Sequence, residues 1–232
     1  MNWENSILDN FKWGTEIKNK AEKEIVAQKI AAYVENGQTI GVGSGSTVFV
    51  SLTHIAQKIK TNKLDVKVIP TSFEIEMACA SLGLKMTTLK QDRPDWYFDG
   101  ADEVDPQNNL IKGRGGAMFR EKLMLVSSLK NYIIVDKTKL VQKLGTHFPV
   151  PVEIYPEALN YVRNRLIALG ATEIDLRMAQ KKDGPVITET GNFILDVRFH
   201  EIGDSIEKEL KNITGIIETG LFQGYDLNII EP

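Results

Sequence analysis

Helical and strand-like patterns alternate through the first two thirds of this 232-residue chain. The strand-like segments are short and apolar, and they lie at 39–43, 66–70, 96–99, 110–111 and 132–135. Helical spacing of apolar residues occupies the intervals at 16–34, 47–59, 73–82 and 116–129. Because parallel strands need a long crossover, usually a helix, the alternation predicts an α/β fold built on a parallel sheet.

The pattern changes near Gly145. The proline-rich segment His147–Pro151 lies there, and a different arrangement of strand-like and helical segments follows it. Residues that precede proline avoid the helical conformation, so this segment indicates a linker or an edge crossing. Strand-like segments at 151–154, 173–178, 186–189 and 192–197, with helical segments at 156–169 and 205–212, predict a smaller α+β domain. We therefore expect a larger domain at 1–146, a small domain at 147–216, and a C-terminal segment at 217–232 that returns to the larger domain.

Composition excludes several classes of protein. Lys plus Arg number 28 and Asp plus Glu number 31, and the resulting net charge of −3 argues against a nucleic-acid partner. No segment reaches the roughly 18 apolar residues of a membrane helix, and the N-terminus lacks the order of a signal peptide. We therefore expect no membrane association and a cytoplasmic location.

Cysteine and histidine usage gives no sign of a metal centre or a nucleophile. The one cysteine, Cys79, rules out an intrachain disulfide and lies in a helical pattern, where a small packed residue is expected. His54, His147 and His200 lie far apart without ligand spacing. We expect no metal site and no cofactor.

The first candidate site is the loop Gly41–Thr47, GVGSGST, between a strand and a helix. Glycines let successive amides face one anion, a helix N-terminus adds a partial positive charge, and Ser44, Ser46 and Thr47 add hydroxyl donors. The loop matches neither the dinucleotide fingerprint nor the P-loop. It favours a small phosphorylated ligand, and the alternative is a tight turn with a hydroxyl cap.

The second candidate is the acidic run Asp99–Asp105, DGADEVD, directly after an apolar strand. Ligands of open α/β sheets bind beyond the carboxyl ends of the strands, and crowded carboxylates suit proton transfer. A solvated acidic turn and a magnesium site remain as alternatives.

The third candidate is the turn 112–116, KGRGG, followed by a helix that carries Glu121. Its glycines expose amides, and Lys112 adds a positive charge that would stabilise developing negative oxygen. Glu121 lies about one and a half turns into the helix, where it would face either the cleft or solvent.

If one parallel sheet places all three loops at one edge, that edge holds a phosphate cradle, two acids, a lysine with amides, and a glutamate. This set fits proton transfer next to the carbonyl of a phosphorylated substrate, with a carboxylate base and a stabilised enediolate.

The motifs also carry a family resemblance over nearly the whole chain from about residue 20. The chain resembles type A ribose-5-phosphate isomerases at GVGSGST 41–47, TSFE 71–74, FDGADEVD 98–105, IKGRGGAMFREK 111–122, VDKTKLV 135–141, FPVPVE 148–153 and GLF 220–222. The resemblance implies a Rossmann-like domain with a small α+β domain, metal-independent interconversion of D-ribose 5-phosphate and D-ribulose 5-phosphate, and a homodimer or homotetramer.

The resemblance also implies roles for individual residues. It makes Glu121 the base between C1 and C2, makes Asp99 the acid that opens the ring and moves protons between O1 and O2, and assigns Asp102 and Lys112 to the sugar hydroxyls and the enediolate. The remaining implied contacts belong to the ligand-binding loop, to the backbone donors and to nearby lysines. They are Ser44, Gly45, Ser46, Thr47, Gly100, Ala101, Gly113, Arg114, Gly115, Lys139 and Lys23.

Two departures and two alternatives stay open. Arg114 stands where glycine is common in the family, and Ser44 where threonine is frequent. The alternatives are a non-catalytic sugar-phosphate effector domain, and a related deaminase or lactonase that would be expected to use a histidine near the acids. Trp3, Phe11 and Trp13 precede the resemblance, and we expect them to pack on the core or to cover a partner subunit.

Overall fold

The computed structural model describes Leu8, 11–14 and 16–232. Its largest sheet consists of six strands, which are β1 (Thr39–Val42), β2 (Lys67–Pro70), β3 (Lys85–Met86), β4 (Trp96–Asp99), β7 (Asn131–Ile134) and β13 (Asn228–Ile230). Their order in the sheet is β13-β7-β4-β1-β2-β3, and every neighbouring pair is parallel. The predicted parallel α/β sheet is confirmed.

Four helices accompany the parallel strands: α1 (Lys20–Ala32), α2 (Ser46–Asn62), α3 (Phe73–Ser81) and α4 (Met118–Ser127). All four residues of β1 are buried and apolar side chains of α1, α2 and α3 join its core, as expected for a sheet covered by crossover helices. Phe11 and Trp13 pack against this core, with the Trp13 ring 5.1 Å from that of Phe49. Trp3 lies outside the described residues.

The chain divides into two compact units. The first comprises 1–100, 123–137 and 226–232, and it contains the whole parallel sheet. The second comprises 101–122 and 138–225. This division gives 101–122 and 138–146 to the second unit, whereas the sequence analysis places them in the larger domain. The boundaries at 146 and 216 stay a prediction.

The second unit holds two antiparallel sheets. One has the order β11-β8-β10-β9, from β8 (Val150–Ile154), β9 (Ala171–Leu176), β10 (Phe193–Phe199) and β11 (Ile216–Thr219). The other has the order β12-β6-β5, from β5 (Glu103–Val104), β6 (Leu110–Ile111) and β12 (Leu221–Phe222). Helices α5 (Leu159–Ala168) and α6 (Ile206–Lys211) contribute Val162, Leu166 and Leu210 to this unit's core.

Two expectations about strands are wrong. β6 pairs antiparallel with β5 and β12, so the loop after it does not follow a strand of the parallel sheet. The segment 186–189 forms no strand, because Thr188 and Asn192 close a turn: the Thr188 amide donates to the Asn192 carbonyl at 2.9 Å and the Asn192 amide to Thr188 Oγ1 at 3.0 Å.

Candidate active site

The strand order places the first two candidate loops at a recognised ligand-binding position of α/β sheets. β1 lies between β2 and β4, so the chain first adds strands on one side of β1 and later adds strands on its other side. Ligands of such sheets bind outside the carboxyl ends of the strands where the order reverses. The loop after β1 and Asp99 at the end of β4 both lie at this point.

Gly43 allows that loop to pass directly over Asp99. A Cβ atom added at Gly43 would lie 2.0 Å from Cγ of Asp99, so a larger residue cannot occupy this position unchanged. The Gly43 amide donates to the Phe98 carbonyl at 2.8 Å. Gly45 has a φ of +99° at the N-cap of α2, a conformation that favours glycine.

Hydroxyl groups and a lysine surround the start of α2. Lys23 is buried and donates from Nζ to Oγ of Ser46 at 2.9 Å, while Oγ of Ser44 lies 3.0 Å from Oγ1 of Thr71. Ser44 and Thr47 are partly exposed, and the first-turn amides of a helix have no carbonyl partners within it. This loop therefore presents hydroxyl, amide and ammonium donors, which suit an anion.

Asp99 is fully buried, and hydrogen-bond donors hold its carboxylate. Oδ1 accepts from the amides of Ser44 at 3.0 Å and Gly100 at 2.7 Å, and Oδ2 accepts from the hydroxyl of Tyr97. A buried carboxylate with fixed donors keeps a defined orientation, which proton transfer requires.

In the second unit, Lys112 and Glu121 form a buried ion pair. Nζ of Lys112 lies 3.2 Å from Oε2 of Glu121, and both residues are 4 % exposed. The amide of Lys112 donates to the Gly220 carbonyl at 2.8 Å, and a Cβ at Gly220 would lie 2.1 Å from the Lys112 carbonyl oxygen. The Phe222 ring lies 5.8 Å from Nζ of Lys112. Glu121 thus faces a cation in the interior and not the solvent.

Asp102 lies near the same lysine charge. Its Oδ2 accepts from the Arg114 amide at 3.3 Å. Burial raises the pKa of Asp102, while the charges of Lys112 and Lys139 and the Arg114 amide act in the opposite direction. Lys139 ends a 3-10 turn, with its Nζ 5.2 Å from the ring of Phe148.

The glycine-rich turn has the conformation that its sequence suggests. Gly113 has a φ of +100° and Gly116 a φ of +84°, both in the left-handed region. Arg114 and Gly115 between them are exposed. The turn therefore exposes its two middle residues close to Lys112 in the chain.

The structure brings the candidate residues together in two sets, one in each unit. The first unit holds Lys23, Ser44, Gly45, Ser46, Thr47, Asp99 and Gly100. The second unit holds Ala101, Asp102, Lys112, Gly113, Arg114, Gly115, Glu121 and Lys139.

Sequence reasoning missed Tyr97 and Thr71, which bond candidate residues, and Lys122, which follows Glu121 in the chain. Tyr97 was detectable, because residues two apart in a strand share a face and Asp99 follows at that spacing. Thr71 follows β2 at the same sheet edge. Lys122 is buried, and its Nζ donates to Glu207 at 2.5 Å and to Glu218 at 3.0 Å; a lysine beside a surface-like Arg-Glu pair gives no such signal.

Cys79 is packed in the interior and the histidines have structural or exposed positions, as the sequence predicts. Cys79 is fully buried, and burial raises the pKa of its thiol to about 12, so it is no nucleophile. His54 contacts Glu24 at 2.6 Å, and His147 and His200 are exposed. Among the residues that the structure describes, no three His, Cys, Asp or Glu side chains are grouped as a metal ion would require.

Comparisons with known proteins agree with one another. The family model described as "Ribose 5-phosphate isomerase A (phosphoriboisomerase A)" matches residues 67–230. A curated ribose-5-phosphate isomerase A from Thermosynechococcus vestitus is 44% identical over 207 residues, covering 88% of this chain and 87% of that protein. One from Methanothermobacter thermautotrophicus is 39% identical over 204 residues, covering 87% of this chain and 89% of that protein.

Solved structures are similar over the same extent. The ribose 5-phosphate isomerase A of Methanocaldococcus jannaschii superposes with a TM-score of 0.87 at 39% identity, covering 91% of this chain and 95% of that one. A D-ribose-5-phosphate isomerase in complex with phospho-erythronic acid has the same TM-score at 36% identity, covering 92% and 95%. Within the described part of this chain, no helix is long and apolar enough to cross a membrane.

Proposed function

This chain belongs to the ribose 5-phosphate isomerase A family, and from that membership we propose how its own residues interconvert D-ribose 5-phosphate and D-ribulose 5-phosphate in the pentose phosphate pathway. The reaction opens the sugar ring, moves a proton between C2 and C1 through an enediolate, and moves a second proton between O1 and O2. It balances without a redox partner, because the aldehyde carbon is reduced as the neighbouring carbon is oxidised.

The buried pair of Lys112 and Glu121, 3.2 Å apart, carries the proposal. Glu121 is the base that takes the proton from C2 and returns it to C1. Lys112 offsets the negative charge of the carboxylate in the resting enzyme and of the enediolate oxygens during the reaction. Electrostatic stabilisation of this kind is effective only where water is largely excluded, and both side chains are buried.

Asp99 is the second acid–base group in the proposal. It takes the proton of the O1 hydroxyl and gives it to the ring oxygen as the bond between C1 and that oxygen breaks. It then moves a proton from O2 to O1 as the aldose becomes the ketose. Its support is a fully buried carboxylate whose orientation Tyr97, Ser44 and Gly100 hold. Fixed orientation lowers the entropy cost of each transfer.

Substrate binding is divided between hydroxyl, amide and ammonium donors. Asp102 accepts from a sugar hydroxyl, and the backbone donors of Gly113 and Gly115 contact the enediolate. Gly100, Ala101 and Arg114 complete the loop contacts around the sugar. The Ser44–Thr47 loop, with the lysines Lys23 and Lys139, binds the phosphate, in keeping with its donors at the start of α2.

We also infer a cytoplasmic homodimer or homotetramer in which the small domain, 147–216, contributes to assembly. Light scattering on a size-exclusion column measures the mass directly. A particle of the 26.0 kDa chain mass alone would contradict the inference.

The activity is tested by following ketose formation from ribose 5-phosphate in the presence of a chelator. Turnover with D-ribulose 5-phosphate as the product is expected. Tight binding of ribose 5-phosphate without turnover would favour the effector-domain alternative, which neither the family nor the relatives described above support. Ammonia release from glucosamine 6-phosphate would identify a deaminase instead.

A further inference from the structure

Arg177, directly after β9, holds the glycine-rich turn by its backbone. Its Nη1 donates to the carbonyl oxygens of Gly113 at 2.8 Å and Arg114 at 2.9 Å. Its Nε donates to Oδ2 of Asp196 at 2.8 Å, and its Nη2 donates to Oδ1. One guanidinium therefore links a carboxylate on β10 to two successive peptide carbonyls.

Holding these carbonyls also sets the direction of the neighbouring amides. In a trans peptide the carbonyl and the next N–H point in opposite directions. With the carbonyls of Gly113 and Arg114 directed at Arg177, the amides of Arg114 and Gly115 point away from it. The Arg114 amide accordingly reaches Oδ2 of Asp102 at 3.3 Å on the opposite side.

We propose that Arg177, anchored by Asp196, is a positioning residue that orients the Gly115 amide toward the reacting sugar and the Arg114 amide toward Asp102. The inference rests on the proposed function, since it deepens the roles given there to Asp102 and to the Gly115 backbone donor. Arg177 itself contacts no reacting atom in this assignment. It acts through the direction of two peptide dipoles: one stabilises the enediolate more than the ground-state sugar, and the other holds the Asp102 carboxylate.

The chemistry of the side chain suits arginine and not lysine. The guanidinium is planar and offers five donors in fixed directions, so it binds a carboxylate with one edge and carbonyls with another. A lysine ammonium keeps the charge but cannot hold both sets in the same geometry. Arg177→Lys therefore removes the fixed geometry and retains the charge.

The test compares Arg177→Lys with Asp196→Asn and a matched control. Arg198 and Glu173 form a second Arg–carboxylate pair across β10 and β9, at 3.5 Å on the exposed surface, so Arg198→Lys is the control. For each variant, kcat and KM are measured with ribose 5-phosphate, and inhibition with phospho-erythronic acid. The planar carboxylate of that acid resembles the charged enediolate more than the neutral sugar.

Arg177→Lys is expected to lower kcat by about 10- to 100-fold while KM stays within about threefold of the wild-type value. Inhibition by phospho-erythronic acid should weaken by a factor similar to that for kcat. Asp196→Asn should show a smaller loss in the same direction, and Arg198→Lys none. If Arg177→Lys does not fold, the Asp196→Asn result decides.

Wild-type kcat in the folded variants, or a rise in KM at unchanged kcat, would overturn the inference. Glu121→Gln in the same assay distinguishes a failure of the positioning role of Arg177 from a failure of the proposed function. If the wild type is active and Glu121→Gln is not, normal Arg177→Lys kinetics refute only the positioning role. A wild type without turnover refutes the proposed function itself, and a fully active Glu121→Gln refutes the role of Glu121 as its base.

Discussion

Replacing Gly43 by alanine tests the contact on which the geometry of the first loop depends. The new Cβ would lie 2.0 Å from Cγ of Asp99, whereas carbon atoms in contact are about 3.5–4 Å apart. The loop or the Asp99 side chain must therefore shift by about 1.5 Å. The Ser44 amide, which donates to Asp99 at 3.0 Å, belongs to the same loop, so the shift also breaks this bond.

The size of the effect follows from these contacts. Overpacking costs about 1–3 kcal/mol, and a lost hydrogen bond to a charged group costs about 1.5–3 kcal/mol. A total of about 3 kcal/mol lowers Tm by about 6–12 °C for a chain of this length. Displacing an acid–base group by more than about 1 Å is expected to reduce kcat about 100-fold.

The assay is ketose formation at saturating ribose 5-phosphate, with thermal unfolding measured on the same preparation. Gly203→Ala is the matched control, because a Cβ at Gly203 meets nothing within 4 Å and its φ is not positive. Wild-type kcat and Tm in Gly43→Ala would refute the close approach of the loop to Asp99.

Three further predictions concern buried groups. Tyr97→Phe removes a donor from the buried Asp99 carboxylate, so it should destabilise the protein by about 1–3 kcal/mol and lower kcat, and an unchanged denaturation midpoint would contradict this. Burial raises the pKa of Asp102, so the contribution of this side chain to stability falls as pH rises through that pKa. The Tm of Asp102→Asn minus that of the wild type should therefore grow from about pH 4 to about pH 7, and a shrinking difference would contradict the direction of the shift. Because burial raises the pKa of Cys79 to about 12, a thiol reagent at about pH 8 should label the protein only after unfolding, and rapid labelling of the native protein would refute its burial.

The parallel sheet was predictable because its signals are local. A short apolar strand that ends in GVGSGST, and another that ends in DGAD, each carry their own turn chemistry. Parallel pairing then places the loop after β1 and Asp99 at one sheet edge without further information. The predicted strand Trp96–Asp99 has the same bounds as β4.

Features that depend on distant residues were not predictable in the same way. The two residues of β6 do not indicate whether this strand pairs parallel or antiparallel. Its antiparallel pairing, Val104 with Leu110, depends on the hairpin that joins β5 to β6. At 186–189, the β-branched residues Val186, Ile187 and Thr188 favour a strand, but the hydroxyl of Thr188 instead donates to Glu153 at 2.6 Å and accepts from the Asn192 amide in a turn.

In the candidate site too, features set by local sequence were predictable and features that depend on distant residues were not. Asp99, Lys112 and Glu121 were chosen from motifs, and the ion pair within the second unit gives Glu121 a direction that its helix position left open. Arg177 gave no signal, because its partners at the turn are backbone carbonyls, whose positions a residue pattern does not encode.

The most direct test of the central claim is hydrogen exchange at carbon, measured in D₂O. The wild type and Glu76→Gln, a control at an exposed glutamate of α3, should incorporate solvent deuterium into the sugar phosphate at C1 or C2 as they turn over. Glu121→Gln should lose both incorporation and turnover by about 10²- to 10⁴-fold while remaining folded. Exchange and turnover at the wild-type rate in folded Glu121→Gln would show that another group moves the proton.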